Sequence, residues 1–305
     1  MTTPTTIPPE LAPFQDQPAQ LPAGTTGKHG ILRLRLQPRR GRTELVELYR
    51  QTPLLVQQAL HYDETLPDCA CIVVVTTGGG VVQGDRYDID IRLDDHARTH
   101  LTTQSATKLQ QMDANHASQR QAFTLGEHAY LEYLPEPVIP YRGSRFHGHT
   151  TVVLPPTATA LIAEIVLPGR THHHAAEHFG YDLLSLTVDA ARPDGRRLCG
   201  EKFVIAPGQW HPGHPAGMHD YSVLGSVWVL TPPATAEQIM PHLTAGTDPA
   251  AGWAAGAALL PNHAGLGYRI LSRDTDAARR LVRTCWDATR RAVTGRPAPP
   301  PFAWR

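Results

Sequence analysis

A mainly β fold is what this chain predicts, and three observations carry that reading. Short runs of alternating apolar and polar residues recur from Leu32 to Leu230. Proline and glycine close many of those runs. The one strong helical period is held back to the stretch after Asp274.

The elements follow in order. Residues 1–27 are rich in Pro, Thr and Gln with no apolar period, and read as a disordered extension. In Leu32-Arg33-Leu34-Arg35-Leu36 the leucines share one strand face and the arginines the other. Gly41-Arg42-Thr43 turns the chain, and Leu45 to Tyr49 and Leu54 to Leu60 continue as apolar-patterned segments. Tyr87, Ile89, Ile91 and Leu93 alternate with Asp88, Asp90 and Arg92, as in a sheet with one buried and one wet face. The Asp88/Asp90 pair, flanked by Arg86 and Arg92, then reads as a solvated face rather than an acid–base pair. Ala129 to Leu134 alternates and stops at Pro135; Val152-Val153-Leu154 ends at Pro155-Pro156. Leu161 to Leu167, Glu164 apart, is a short apolar run, as in a strand covered on both faces. Further strands are expected at Leu184–Val188, Phe203–Ile205 and Val223–Leu230. A short helix over 235–243 would be spoiled at Pro241. The clear helix spans about 274–294, with Asp274 as N-cap and Gly295 as terminator. Its apolar stripe is Ala278, Leu281, Val282, Cys285, Trp286, Ala288, Thr289 and Ala292; Arg279, Arg280, Arg283, Arg290 and Arg291 fill the opposite side. No long linker divides residues 30–300, so a single domain is expected.

The bulk properties narrow the function classes. The 305 residues are 41% hydrophobic and 18% charged with zero formal net charge, so no basic field attracts nucleic acid or an anionic membrane. No apolar run reaches membrane-spanning length and no secretory signal is visible, which points to the cytoplasm. Cys69, Cys71, Cys199 and Cys285 have neither disulfide-framework nor zinc-ribbon spacing and read chiefly as small buried hydrophobes; a soft-metal contact at Cys69 stays open.

Site chemistry is sparse. The run Gly78-Gly79-Gly80-Val81-Val82-Gln83-Gly84-Asp85 lacks the Gly-Lys-Ser/Thr of a phosphate loop and enters a strand, not a helix. No Gly-x-Ser-x-Gly elbow marks a nucleophile. Histidines crowd three loops: His147/His149, His172-His173-His174 with His178, and His211, His214 and His219. Imidazole suits nickel, zinc and copper, but consecutive strand residues point oppositely, so exposed loop histidines are the plainer reading. A β-rich metal-dependent hydrolase using those histidines, or a β-rich binding module, remains an alternative.

Several blocks, in this order and at these distances, resemble the urease accessory protein UreD (UreH) family. They are the glycine block Gly78-Gly79-Gly80 with Gly84-Asp85; Thr102-Thr103-Gln104 with Lys108; Leu131-Glu132 with Leu134-Pro135; Gly169-Arg170 with Glu177-His178; and the terminal helix with Trp286, Arg290 and Gly295. The chain departs from the pattern at Thr76-Thr77, at Gln83 and in the histidine-rich 170–180 segment. The resemblance implies a mainly β, irregular β-helix-like or stacked-sheet single domain over residues 28–305, with a short helical part near the C-terminus. It implies a scaffold with no chemistry of its own, which binds UreF, UreG and apo-urease and assists nickel insertion. No cofactor is expected to be held permanently, and nickel only in transit. On the same resemblance Asp85 is the first candidate for the nickel path, with a turn-capping role as the alternative. Glu132, Glu177 and His178 are second candidates. Thr103, Gln104 and Lys108 are expected to be structural or interface residues.

Overall fold

A computed structural model describes residues 7–16 and 27–300 of the protein. Strand dominates, in two sheets; among the described residues both α-helices lie in the last third, and the other helical pieces are three-residue 3-10 turns.

The chain begins with an antiparallel hairpin, β1 (His29–Arg39) and β2 (Arg42–Gln51), at one edge of a seven-stranded sheet. After the two-residue β3 (Leu54–Leu55), β4 (Ala70–Thr76) enters a second, eleven-stranded sheet. The path then winds from sheet to sheet. β5 (Arg86–Leu93) returns to the first sheet beside β1, and β6 (Arg98–Thr103) lies in the second beside β4. The short β7 (Thr107–Leu109) leads to β8 (Ala117–Leu125) in the first sheet and β9 (Tyr130–Tyr133) in the second. The short β10 (Val138–Pro140) leads likewise to β11 (Arg145–Val153), β12 (Thr159–Val166) and β13 (Leu183–Ala191). β1, β5, β8, β11 and β13 are parallel, as are β4, β6, β9 and β12. Each coil thus adds one strand to each sheet, the β-helix-like stack expected above.

Antiparallel strands close the stack. β14 (Arg197–Ile205) edges the first sheet, and β15 (Val223–Leu230) follows β12 in the second. Helix α1 (Pro233–Ile239) runs into a 3-10 turn at Met240–His242, where Pro241 ends the α-geometry as expected. β16 (Gly246–Asp248), β17 (Trp253–Leu259) and β18 (Gly265–Ser272) complete the second sheet. Helix α2 (Thr275–Thr294) starts where Asp274 accepts the Ala277 N–H at 2.8 Å and ends at Gly295, whose φ of 69° favours glycine.

Two cores result. One fills the space between the sheets with Leu32, Ile91, Phe123, Leu131, Ile162 and their neighbours. The other lies under α1 and α2, where Leu161, Ala163 and Ile165 of β12 meet Ala278, Leu281, Cys285 and Trp286. β12 is therefore covered on both faces, which is why its sequence is apolar without alternation. On β5 the tyrosine, isoleucines and leucine face inward, while Asp88 binds Arg120 on the wet side.

Two expectations need correction. Residues 1–27 read as disordered, yet residues 7–16 pack on the first sheet with Leu11 buried; Glu10, Leu11 and Phe14 each find a partner there, so low periodicity did not mean lack of contact. The rest of that extension, 1–6 and 17–26, lies outside the described residues. Arg290, assigned to the wet side of α2, is fully buried. Two buried carboxylates recover the cost of removing it from water.

Candidate functional site: a buried charge cluster and an intersheet cavity

The charge cluster forms where α2 lies on the second sheet. The alternation of β9 does not hold Glu132 at the surface, since all four residues of that strand are buried. One Glu132 oxygen accepts from Arg290 Nε at 2.6 Å; the other accepts from Arg290 Nη2 at 2.8 Å and pairs with His100 Nδ1 at 3.0 Å. The bidentate fork fixes the guanidinium plane. Arg290 Nη1 turns to Asp63, whose other oxygen accepts from the Thr65 hydroxyl and N–H. His100 and Arg290 both lie against the Trp286 ring. Burial alone would raise Glu132, but its bonds from His100 and Arg290 outweigh that and hold it at about 2. The Cys69 thiol nearby is pushed up by its bond with Cys71, by burial and by the Glu132 charge, so it stays a thiol rather than a thiolate ligand.

The glycine block builds a second structure. Asp85 is almost fully buried, and its carboxylate accepts from Lys28 N–H at 2.9 Å, Val82 N–H at 3.0 Å and the Tyr87 hydroxyl at 3.0 Å. That is turn capping, and it anchors the start of β1 beside β5. Gly80, at φ 142°, has no room for a side chain: a Cβ would stand 2.7 Å from the Lys108 carbonyl. Val81 is bridged to Leu109 there, its N–H donating to the Lys108 carbonyl and its carbonyl accepting from the Gln110 N–H. Gly78, Gly79, Gly80, Thr103, Gln104 and Lys108, far apart in sequence, line one small cleft. Gly84 continues the turn into Asp85, with its N–H on the His116 carbonyl. Thr102 bonds the Leu134 carbonyl at 2.7 Å, tying β6 to the Leu134-Pro135 exit of β9.

The Gly169-Arg170 block folds onto Glu177. Arg170 donates to one Glu177 oxygen at 2.7 Å and the Arg142 N–H donates to the other at 3.0 Å, so Glu177 is tied into a loop brace. The Arg170 bond holds its carboxyl below the usual range. Gly169, at φ 130°, lies so close that a Cβ would be 2.1 Å from the Glu177 carbonyl. His178 is exposed, with its ring edge-on to Phe179, which also meets His211. The candidates Asp85, Glu132, Glu177 and His178 are thus not brought together. Among the described residues no three His, Cys, Asp or Glu side chains gather closely enough to hold a metal ion.

The space between the sheets contains one further feature. A narrow cavity of about 50 Å³ is lined by Gln121, Tyr133, Thr150, Thr187 and Glu164, with Glu136 at its edge. The Tyr133 hydroxyl donates to Gln121, whose amide donates to Thr150. Burial pushes Glu164 up to about 7, opposed by Arg269 and reinforced by Glu201. Such a carboxyl exchanges its proton near neutrality. Sequence reasoning missed Asp63, His100, Glu164 and the inward turn of Arg290. For Arg290 a signal was present, since it follows Val282 and Trp286 at steps of four. Glu164 interrupts the apolar run 161–167 and was passed over for that reason.

Fold and site together define a two-sheet coil with a locked interior charge network and a small cavity of mixed polar and apolar lining between its layers. The sequence comparisons agree with that class. The model of the UreD urease accessory protein family matches residues 28–305. Urease accessory protein UreD 2 of Brucella suis is 42% identical over 295 residues, covering 97% of this chain and 98% of its own. UreD 3 of Methylorubrum populi is 45% identical over 297 residues, covering 97% and 96%. UreD of Yersinia pseudotuberculosis is 41% identical over 297 residues, covering 97% and 92%. The chain belongs to the urease accessory protein UreD family.

Proposed function

We propose that this protein is a urease-maturation scaffold that binds UreF, UreG and apo-urease and passes nickel towards the urease active site, breaking and making no covalent bond itself. The observation that carries the reading is the Glu164-lined cavity inside a chain of this family. The Glu164 and Glu136 carboxyls stand there with a few amide and hydroxyl oxygens among apolar side chains; so sparse a donor set coordinates a divalent ion weakly, and weak coordination is what transit requires. Asp85 is the outer candidate on the path and Glu132 an inner one; both are held by internal donors, so each would have to exchange a hydrogen bond for the ion. Glu177 and His178 border the histidine-rich loops and take the same role at the surface.

Partner docking is supported by the exposed side of α2. Arg280, Arg283 and Arg291 rim an open groove of about 830 Å³ against Gln238 and His242 of the α1 region. A cationic groove beside a helix suits an acidic helical partner. The protein works in the cytoplasm in this reading, transiently associated with nickel.

The test is a pull-down from cells co-expressing UreF, UreG and the urease subunits, with nickel measured in the urease. Glu164→Gln and Asp85→Ala are each expected to leave the complex assembled and to lower nickel per urease. Unchanged nickel in both variants would remove the passage; absence of any complex with wild-type protein would remove the scaffold.

A further inference from the structure

Residues 7–16 cross the outer face of the seven-stranded sheet as a strap, and its contacts are chemically distinct along its length. Glu10 accepts from the Ser185 hydroxyl of β13 at 2.7 Å and from the Lys202 ammonium of β14 at 2.9 Å. The 3-10 turn Pro9–Leu11 drops Leu11 into the surface, where it is 3% exposed. The Phe14 ring lies 4.6 Å from the Arg145 guanidinium of β11. The Phe14 carbonyl meets His116 Nδ1 at 3.0 Å, and the Asp16 carbonyl accepts from Asn115 at 2.8 Å. Gln15 and the Phe14 N–H both return to the Leu11 carbonyl, which pre-folds the turn.

This is the arrangement of a bound peptide, with a carboxylate anchor, an aliphatic anchor and an aromatic anchor seated on a rigid sheet. The seat is built by strands that belong to the coil, and the strap adds no strand to it. Both ends of segment 17–26 are tied to one neighbourhood. Asp16 is held at Asn115, while Lys28 is held at Asp85, and the Arg86 guanidinium donates to the Asn115 side chain and the Asp85 carbonyl. Eleven residues separate Asp16 from Lys28 along the sequence.

We propose that the outer face of β11, β13 and β14 is a peptide-recognition site whose occupant is the chain's own segment 7–16, docked reversibly so that the face is masked while the strap is seated. The inference stands apart from the nickel reading and would survive its failure. Acid loosens the strap. The groups facing it are His116 ahead of β8, Arg145 (paired with Asp182) and His147 on β11, Ser185 on β13 and Lys202 on β14; His149, on the same face, pairs with Asp189. Glu10, despite its own burial, is held low by Lys202 and Ser185. The seated state therefore binds fewer protons than the released one. Occupancy is complete above the ordinary glutamate value of 4.5 and falls as pH drops below it.

The probe is a fluorescein-labelled synthetic peptide of residues 7–16, with anisotropy read against the full chain. In wild type the tethered strap competes at an effective concentration in the millimolar range. A Leu11→Ser/Phe14→Ser full-length variant, whose strap is disabled, should bind the peptide at least about 10-fold tighter than wild type. No binding to either protein, or equal binding to both, would overturn the proposal. A second measurement needs no peptide. Lys202→Glu should speed amide hydrogen exchange across residues 7–16, and adding Glu10→Lys should restore slow exchange; exchange in Lys202→Glu equal to wild type overturns the strap as well.

Discussion

The charge cluster at Arg290 and the histidine-rich loops are the two regions densest in ionisable side chains, and their neighbours set them apart. Around Arg290 the groups are buried and paired: Glu132, Asp63 and His100 each have a partner within hydrogen-bond reach. In the loops, His172, His173, His174, His178, His211, His214 and His219 stand exposed, and His174 merely caps the Ala176 N–H. Burial makes each charge in the first region a structural commitment. In the second, the partners are local backbone N–H groups and the neighbouring Asp220, all open to water, so crowding alone assembles nothing.

The comparison breaks first at Arg290. Arg290→Met strands two carboxylates in the interior and should destabilise the fold by about 3–5 kcal/mol in chemical denaturation. Combining it with Glu132→Gln and Asp63→Asn should recover part of that loss; no recovery would mean that packing, not charge, dominates the cluster. Next in size is the loop brace. Gly169→Ala places a Cβ against the Glu177 carbonyl at positive φ and should cost about 1–3 kcal/mol, read as a lowered thermal midpoint. The cluster also sets an acid limit. Glu132 is held at about 2 against an ordinary 4.5, so the folded state binds fewer protons. Its contribution is complete above about pH 4.5 and is lost as pH falls towards 2, and Glu132→Gln should flatten that slope.

Glu164 sharpens the contrast from the opposite sign. Its folded value of about 7 exceeds the ordinary one, so its contribution is present at low pH and lost as pH rises from about 4.5 to 7. Glu164→Gln should therefore raise stability at pH 8 while lowering nickel delivered to urease. An unchanged unfolding midpoint at pH 8 would place that carboxyl in contact with water. The smallest effect belongs to the loops: replacing His172, His173 and His174 by Ala should shift stability by less than about 0.5 kcal/mol. A larger loss would show that those imidazoles contribute more than the His174 cap on Ala176.

Much of the fold was legible because periodicity reports burial directly. The alternation of Tyr87 to Leu93, the largely apolar run from Leu161 and the capped helix after Asp274 each translate into one element. The ordered family blocks carried the rest, since no local pattern shows that β5, β8, β11 and β13 stack in parallel with strands of the other sheet between them. The site was legible only in part. Asp85, buried and capped, matched the turn-capping alternative, and Glu177 proved to brace a loop. Arg290 was misread because an arginine on an otherwise cationic helix side looks solvated until its carboxylate partners, 158 and 227 residues away, are in place. Residues 7–16 were misread because their anchors are single side chains without a repeat.

The sequence by itself determined which segments become strand or helix, where they stop, and the family to which the chain belongs. These follow from near-neighbour chemistry, in which side-chain period, caps and breakers act within a few residues. Only the tertiary structure decided which charges are interior, how the two motif blocks share a cleft, and what lies between the sheets. Burial and pairing are properties of residues distant along the chain, and water is excluded from them only once both layers have closed.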